Sequence, residues 1–243
     1  MIASSPLKTN YIRMKKTLLL IVFLFTTVAA FSQINGDFNY SISIKGYSAM
    51  QMPKIFNESN SDKFTDAYFN GLMVKFNDNQ INYRLGGTFY NKSKKFFNEC
   101  ETCEEANGKL LDYSLKLGFE KNFNYSRIQP YFGFDIGYRY SRFRGSLENR
   151  NELRAMSMDA VGEDLESTKS GILASPVLGV KINPIPEISI FVEGNLDLFY
   201  SFEKQKTILQ DISNTQTVNN DRKTEFLLNP FSVGIQIHLG SNK

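Results

Sequence analysis

The sequence holds one histidine, His238, whose side chain is the natural candidate for a general base. A histidine that activates a serine or a water molecule needs a nucleophile or a carboxylate within hydrogen-bonding distance. His238 stands in the stretch "VGIQIHLG", where its local neighbours Gln236 and Gly240 supply no such partner. We therefore predict that His238 is a hydrogen-bonded structural residue, that the chain has no catalytic residue, and that the protein is not an enzyme.

Cys100 and Cys103 form a C-x-x-C motif within the acidic stretch "ECETCEE". This spacing suits a redox centre or one half of a zinc site. Zinc needs two further ligands, and the sequence offers no third cysteine and only the remote His238. In an oxidising compartment we expect the two thiols to form a small disulfide in a loop, and we predict no metal and no cofactor.

Glu193 and Asp197 are a pair of carboxylates on one face of a predicted strand. Four residues of a strand span about 13 Å, which exceeds the separation that paired carboxylates use in glycoside hydrolysis. We expect both carboxylates to form ion pairs instead, with Arg84, Lys116 or Arg139 as partners.

These residues belong to stretches in which apolar and polar residues alternate with a period of two, as is typical of strands with two different faces. In "LDYSLKLGFE", from Leu111 to Glu120, every second residue is apolar. In "QPYFGFDIGYRYSRF", one face is aromatic and the other carries glycines, Asp135 and Arg139. Eight such runs follow residue 36, and the pattern predicts an all-β chain of eight strands.

The connections between the runs alternate in length. Short polar turns such as "NDN" and "NPIP" alternate with long polar segments. We predict long loops over residues 50–65, 92–109, 143–168 and 204–222. Short turns at one end and long loops at the other are the connectivity typical of an up-and-down transmembrane β-barrel. With an even number of strands, both mature termini lie on the short-turn side.

The orientation of the two faces distinguishes a membrane barrel from a soluble, lipocalin-like barrel that encloses a hydrophobic ligand. The polar face is rich in glycine, which is a poor choice for a solvated strand surface but makes room inside a narrow barrel. Its charges nearly balance, as buried charges must. We therefore predict that the apolar face contacts lipid and that the polar face fills the lumen. The predicted lumen charges are Lys45, Lys75, Arg84, Lys116, Glu120, Asp135, Arg139, Lys181, Glu193 and Asp197. The predicted lipid-facing and interfacial aromatic residues are Phe89, Phe132, Phe134, Tyr138, Tyr140 and Tyr200.

Residues 1–32 are predicted to be a secretory signal peptide, and residues 33–243 are predicted to form the barrel domain. From Met14, two lysines are followed by an apolar run and by a small-residue cleavage site after Ser32, so that Met14 is a candidate for the true start. The removed part carries four basic residues and no acidic one, so the formal net charge falls from +3 to −1. The alkaline whole sequence therefore does not indicate nucleic-acid binding.

The signal ending "AAFSQ", the eight two-faced runs, the alternating loop lengths and the closing strand "VGIQIHL" resemble the small outer-membrane β-barrel proteins of Gram-negative bacteria. The similar groups are the OmpX and OmpA-barrel type and the PorT-like barrel family of Bacteroidota. The resemblance covers roughly residues 36–240 and lies in the pattern rather than in a diagnostic motif. It implies an eight-stranded antiparallel up-and-down transmembrane β-barrel in the outer membrane, with both mature termini in the periplasm.

The partners implied by this resemblance are outer-membrane lipid, the barrel-insertion machinery, and other envelope or extracellular proteins bound through the four long loops. We expect a non-enzymatic barrel that acts through those loops in adhesion, in partner docking, or in envelope assembly and secretion. The alternatives are a secreted lipocalin-like barrel with a hydrophobic ligand and a small-solute pore. Eight strands leave little room for a channel, so we expect negligible conductance.

Overall fold

A computed structural model of the chain describes residues 38–55, 64–78, 81–97, 104–149, 163–209 and 215–241. The chain forms eight strands, which are β1 (Phe38–Met50), β2 (Thr65–Asp78), β3 (Ile81–Phe97), β4 (Glu104–Asn122), β5 (Ile128–Asn149), β6 (Glu163–Ile185), β7 (Ile188–Leu209) and β8 (Gln216–Ser241). Over these ranges, no helix is long and apolar enough to cross a membrane.

Each strand pairs in antiparallel fashion with the next one along the chain, and β8 pairs with β1 to close the barrel. Ile42 on β1, for example, pairs with Val74 on β2 and with Ile237 on β8. Closure leaves no open sheet edge in this part of the wall, and a bilayer requires this because its core cannot hydrogen-bond free main-chain groups. The predicted all-β fold, the eight strands and their up-and-down order are confirmed.

The alternation of side chains along the strands sorts the residues into an inner and an outer face. On β7, Ser189 and Glu193 are buried inside the barrel, whereas Ile188, Ile190 and Val192 are exposed on the outer surface. The same phase holds around the ring, so the apolar face is outside, as the sequence predicts.

The predicted aromatic residues all lie on the outer face. Phe89, Phe134, Tyr138 and Tyr200 are exposed. Phe132 and Tyr140 are half-buried because each packs against an aromatic ring of a neighbouring strand or turn, namely Phe123 and Tyr113. Tyr113, Tyr140 and Phe202 are aligned by the strand register, and they form the aromatic edge of the apolar belt on the loop side.

The long loops predicted over residues 92–109, 143–168 and 204–222 are wrong in extent, because strands occupy much of each segment. β3 continues to Phe97, β5 continues to Asn149, and β8 already begins at Gln216. The alternation was missed because outward-facing residues in these segments are polar, so the segments read as loops. In the segment 50–65, residues 51–55 and 64 lie outside the strands. Residues 56–63, 98–103, 150–162 and 210–214 lie outside the described residues.

β8 contains a bulge at Pro230. Glu193 of β7 pairs with Ser232, whereas Asn195 pairs with Asn229, so β8 carries one extra residue between these pairs. Asn229 and Ser232 are therefore both buried in the lumen although their spacing is odd. Proline is tolerated at a bulge because the ladder hydrogen bond is interrupted there.

Two inward-facing glycines make room for aromatic rings that cross the lumen. A Cβ atom at Gly179 would overlap the ring and the hydroxyl of Tyr131. A Cβ atom at Gly234 would overlap the ring of Phe191 and the main-chain oxygen of Ile44. Gly234 is therefore needed where β8 closes against β1.

The predicted signal peptide and the predicted disulfide between Cys100 and Cys103 lie outside the described residues. Both remain predictions.

The substitution Gly234→Ala is expected to destabilise the barrel by about 1–3 kcal/mol, because the new methyl group overlaps main chain and a buried ring. The control is Gly87→Ala on the outer face, where the nearest atom would be 3.7 Å away. Urea unfolding of the two variants refolded in lipid vesicles compares them. Equal midpoints for Gly234→Ala and Gly87→Ala would show that the β8–β1 seam has room to relax.

Candidate functional site in the barrel lumen

Arg84 on β3 is the centre of an ion-pair network in the lumen. Its Nη1 atom lies 3.1 Å from Oε2 of Glu193 and 3.4 Å from Oε2 of Glu120. Its Nε atom lies 3.1 Å from Oδ1 of Asp135, an ion pair without hydrogen-bond geometry. Glu193 stands on β7, which lies opposite β3 in the ring of eight strands. The Arg84–Glu193 contact therefore bridges the barrel from wall to wall.

Glu120 on β4 is shared by three cationic side chains. Its Oε2 atom lies 2.7 Å from Nζ of Lys75, and its Oε1 atom lies 2.7 Å from Nζ of Lys181, in addition to the contact with Arg84. The side chains of Glu120 and Lys75 are completely buried. An ion in such a place costs several kcal/mol in lost hydration unless a partner of opposite charge is in contact, so these four groups depend on one another.

Glu193 is the second shared carboxylate. Besides Arg84, it accepts a contact from Nζ of Lys45 at 2.8 Å. The hydroxyl of Tyr131 donates a hydrogen bond to Oε2 of Glu193 at 3.0 Å. Tyr131, which occupies the space beside Gly179, thus ties the aromatic packing of the lumen to the charge network.

A second cluster surrounds Asp197 on β7. Nζ of Lys116 lies 2.6 Å from Oδ1 of Asp197, and Nη1 of Arg139 lies 3.7 Å from Oδ2. Arg139 also contacts Asp112 on the adjacent strand, with 2.9 Å between Nε and Oδ2. The hydroxyl of Ser175 donates a further hydrogen bond to Asp197. The cluster links β4, β5, β6 and β7.

All ten predicted lumen charges lie inside the barrel, and each one takes part in at least one ion pair. Glu193 is paired with Arg84, and Asp197 is paired with Lys116 and Arg139. The structure divides the ten residues between the cluster around Arg84 and the cluster around Asp197.

A third charged cluster was missed by the sequence analysis. Nζ of Lys169 lies 2.8 Å from Oε2 of Glu225 and 3.8 Å from Oε2 of Glu203, which also contacts Lys223 at 2.6 Å. These residues stand at the borders of the segments predicted to be loops. Continuing the period of two past Gly171 on β6 to Lys169 would have placed that side chain in the lumen.

The loop-side end of the lumen contains an apolar cluster that the sequence analysis did not predict. Its members are Met50, Met52, Ile55, Ala67, Tyr90, Phe96, Ala106, Leu110, Phe143 and Leu165. Met52 and Ile55 come from the connection that follows β1, and each is 3% exposed. They cover the charged layers from the loop side.

Hydrogen bonds hold this inward-folded connection, residues 51–55, against β8. The main-chain amide of Gln51 donates to the carbonyl oxygen of Leu228 at 3.2 Å. The main-chain amide of Lys54 donates to Oε1 of Glu225 at 2.8 Å. The connection is therefore part of the lumen filling and not a free loop.

His238 lies between two serine hydroxyls near the short-turn end. Its Nε2 atom is 2.6 Å from Oγ of Ser189, and its Nδ1 atom is 2.9 Å from Oγ of Ser41. Both serines are completely buried, and Ser189 also donates to Oδ1 of Asn183 at 2.6 Å. A serine nucleophile must be reached by a substrate, and both of these hydroxyls are buried beside the imidazole. In the described ranges, no three His, Cys, Asp or Glu side chains are grouped to hold a metal ion.

A belt of exposed apolar side chains surrounds the paired charges. It includes Ile42, Leu72, Leu85, Leu117, Ile136, Ile172, Leu198 and Ile235. A lipid bilayer requires apolar side chains on the outer face of a barrel, and here the charged side chains lie inside. A water-soluble barrel has the reverse arrangement. The fold and its two faces define a small eight-stranded transmembrane β-barrel of the outer-membrane type.

Comparison with solved structures finds barrels of outer-membrane proteins. A major outer membrane protein from Thermus thermophilus matches with a TM-score of 0.49 and 12% identity, over 82% of this chain and 99% of that chain. Neisserial surface protein A (NspA) matches with a TM-score of 0.40 and 12% identity, over 83% and 97% of the two chains. Ail, the attachment invasion locus protein of Yersinia pestis, matches with a TM-score of 0.39 and 12% identity, over 82% and 96%.

No family model matches the sequence, and no curated protein matches it. The matches to solved structures show a similarity in overall barrel shape at low sequence identity, and they carry no argument about function. The assignment to a class of protein rests on the strand topology and on the two faces of the barrel.

The substitution Glu120→Gln is expected to lower the free energy of unfolding by about 3–5 kcal/mol, because it leaves buried cations without their shared counter-charge. Urea unfolding in lipid vesicles, followed by circular dichroism since the chain has no tryptophan, measures the change.

The control is Glu105→Gln, which removes the carboxylate of a surface pair. Nζ of Lys95 lies 2.8 Å from Oε1 of Glu105, and the Lys95 side chain is 64% exposed. An exposed pair contributes at most about 1 kcal/mol. A loss at Glu120 no greater than the loss at Glu105 would contradict the role given to the lumen network.

Proposed function

We propose that this protein is a closed, non-enzymatic barrel of the outer membrane of a Gram-negative bacterium, and that it docks a partner protein on its loop side. The observation that carries the proposal is a strand wall that continues beyond the lipid belt while side chains cross the lumen beneath it. Transport would need a passage, and catalysis would need an accessible nucleophile or metal. Docking needs only a rigid surface outside the membrane.

The lumen is spanned at several levels, which argues against a pore. Arg84 on β3 joins opposite walls, Lys116 on β4 reaches across to Asp197 on β7, and Lys169 on β6 fills the lumen beside Glu225 of β8. A solute would have to break these buried ion pairs to pass. The same contacts argue against the lipocalin-like alternative, since an apolar ligand has no apolar chamber at the level of the belt.

The loop-side wall consists of the parts of β4 to β8 beyond the aromatic edge. It comprises residues 104–112, 141–149, 163–169, 203–209 and 216–221. Nine residues extend about 30 Å along a strand, so the wall rises well clear of the belt. Its outward side chains include Lys109, Arg144, Glu166 and Lys204, which require water or a polar partner.

The wall has an edge at β8. β1 ends at Met50, and the β1–β8 pairing begins only at Ala49 and Phe231. Among the residues that the structure describes, positions 216–227 of β8 pair with β7 alone. A strand edge offers main-chain donors and acceptors to an extended segment of another protein, with side-chain contacts giving specificity. We propose that a partner binds here, in adhesion or in envelope assembly.

The two chain ends of the barrel lie opposite this wall. β1 begins at Phe38 and β8 ends with Ser241, and these two residues pair with each other at the short-turn end. We propose that this end faces the periplasm and that the wall faces the exterior. Contact with the barrel-insertion machinery would precede this arrangement, and a PorT-like part in secretion is one form of the docking role.

Planar bilayers containing the purified barrel are expected to show no steady single-channel conductance, because ion pairs cross the lumen. A porin measured in the same bilayers provides the positive control, and a heat-modifiable shift in electrophoretic mobility shows that the barrel is folded. Conductance steps of reproducible size from the folded protein would refute the closed lumen.

A photo-crosslinking residue at Asn220, on the exposed edge of β8, is expected to give a reproducible adduct with one partner in native envelopes. The control position is Asn124, which is exposed in the turn between β4 and β5. Mass spectrometry of the adducts identifies the partner. An adduct at Asn124 and none at Asn220 would place docking on the wrong side of the barrel for this proposal.

A further inference from the structure

A group of cationic side chains lies on the outer face of the barrel, directly beyond the aromatic edge of the lipid belt. This basic patch consists of Lys109 on β4, Arg142 and Arg144 on β5, and Lys204 and Lys206 on β7. All five alternate with inward-facing residues along their strands, and the Arg144 side chain is 60% exposed. The patch plays no part in the lumen network.

The strand register brings the five residues into two neighbouring rows. Lys109 pairs with Arg144, and Arg144 pairs with Glu166, which in turn pairs with Lys206. In the next row towards the membrane, Arg142 and Lys204 flank Thr168 of β6. Because adjacent strands are about 4.8 Å apart, the patch is a continuous surface about 14 Å wide.

The positive charge of the patch is only partly compensated within its two rows. Nη2 of Arg142 lies 2.6 Å from Oε1 of Glu166, and Nε of Arg144 lies 3.1 Å from the same oxygen. Glu166 is thus shared by two guanidinium groups. Five bases stand against this one carboxylate in the rows, so the surface attracts further anions.

The height of the patch matches that of lipid headgroups. Arg142 follows Tyr140 of the aromatic edge at the next outward position, and Lys204 follows Phe202 in the same way. One outward step along a strand is about 6.6 Å. Aromatic side chains of this kind sit at the boundary between hydrocarbon and headgroups, so the bases lie at the level of the headgroups themselves.

We propose that the basic patch binds the phosphate groups of lipid headgroups in the leaflet on the loop side. The lipid chains would lie along the apolar belt below, and the belt is continuous with the patch through Tyr140 and Phe202. Guanidinium groups suit phosphate because they can offer two parallel donors to it. A cleft of about 430 Å³ lined by Arg144, Asp164, Glu166, Lys206 and Ile208 gives a headgroup space to enter. Its two carboxylates belong to rows farther from the membrane than the row of Arg142 and Lys204.

The test uses the folded protein in a neutral detergent and titrates it with bis-phosphorylated lipid A, with the same lipid after dephosphorylation, and with inorganic phosphate. Calorimetry is expected to detect binding of the phosphorylated lipid, weakened by added salt, and no comparable binding of the other two. Equal binding of the dephosphorylated lipid would overturn the proposal. Equally tight binding of inorganic phosphate would do so as well, because the lipid would then contribute nothing.

A pair of matched double variants locates the site. Arg142→Gln with Lys204→Gln is expected to weaken binding of lipid A about twenty-five-fold, since each base at a membrane surface contributes about a factor of five. Lys121→Gln with Arg127→Gln removes the same charge at the short-turn end and is expected to leave the affinity unchanged. Heat-modifiable mobility confirms folding of both proteins. Equal losses in the two doubles would show that net charge, and not the patch, attracts the lipid.

Discussion

A guanidinium group held across a narrow barrel constrains the rest of this structure. Arg84 stays charged at every relevant pH, so its place between Glu193, Glu120 and Asp135 must be kept in the folded state. These partners lie on three other strands, and a slip of one residue in any of them would turn a carboxylate towards lipid. The network therefore fixes the register of the sheet, and Gly179 allows Tyr131 to fit beside it.

The inner and outer faces of the strands exchange their chemical character where the strands leave the bilayer. Within the belt, β5 turns Asp135 and Arg139 inward and Ile136 outward. Beyond the aromatic edge, the same strand turns Phe143 inward and Arg144 outward, as a water-soluble sheet does. No change of phase is needed, because the alternation between faces continues and only the character of the side chains is exchanged. One continuous wall is thus adapted to two solvents.

This reversal explains which parts of the fold the sequence could predict. Between Phe132 and Tyr140, apolar residues always mark the outer face, and the strand, its orientation and its lumen charges follow from the period of two. Past Tyr140 the apolar residues mark the inner face, and a rule that equates apolar with lipid-facing finds no strand. The pairing of Asp197 with Lys116 could be anticipated from charge balance, but its geometry depends on the barrel register, which no local pattern contains.

The shortest strand of the barrel adjoins the longest one, since β1 has 13 residues and β8 has 26. All pairing between them lies from Ala49 and Phe231 towards the short-turn end. Among the residues that the structure describes, the seam that closes the ring is thus confined to the membrane-spanning part, and the loop-side wall takes no part in the β1–β8 pairing. A foreign epitope grafted between β7 and β8 would leave the seam intact. In evolutionary terms, the loop-side wall can diverge in length and composition while the membrane-spanning part stays the same.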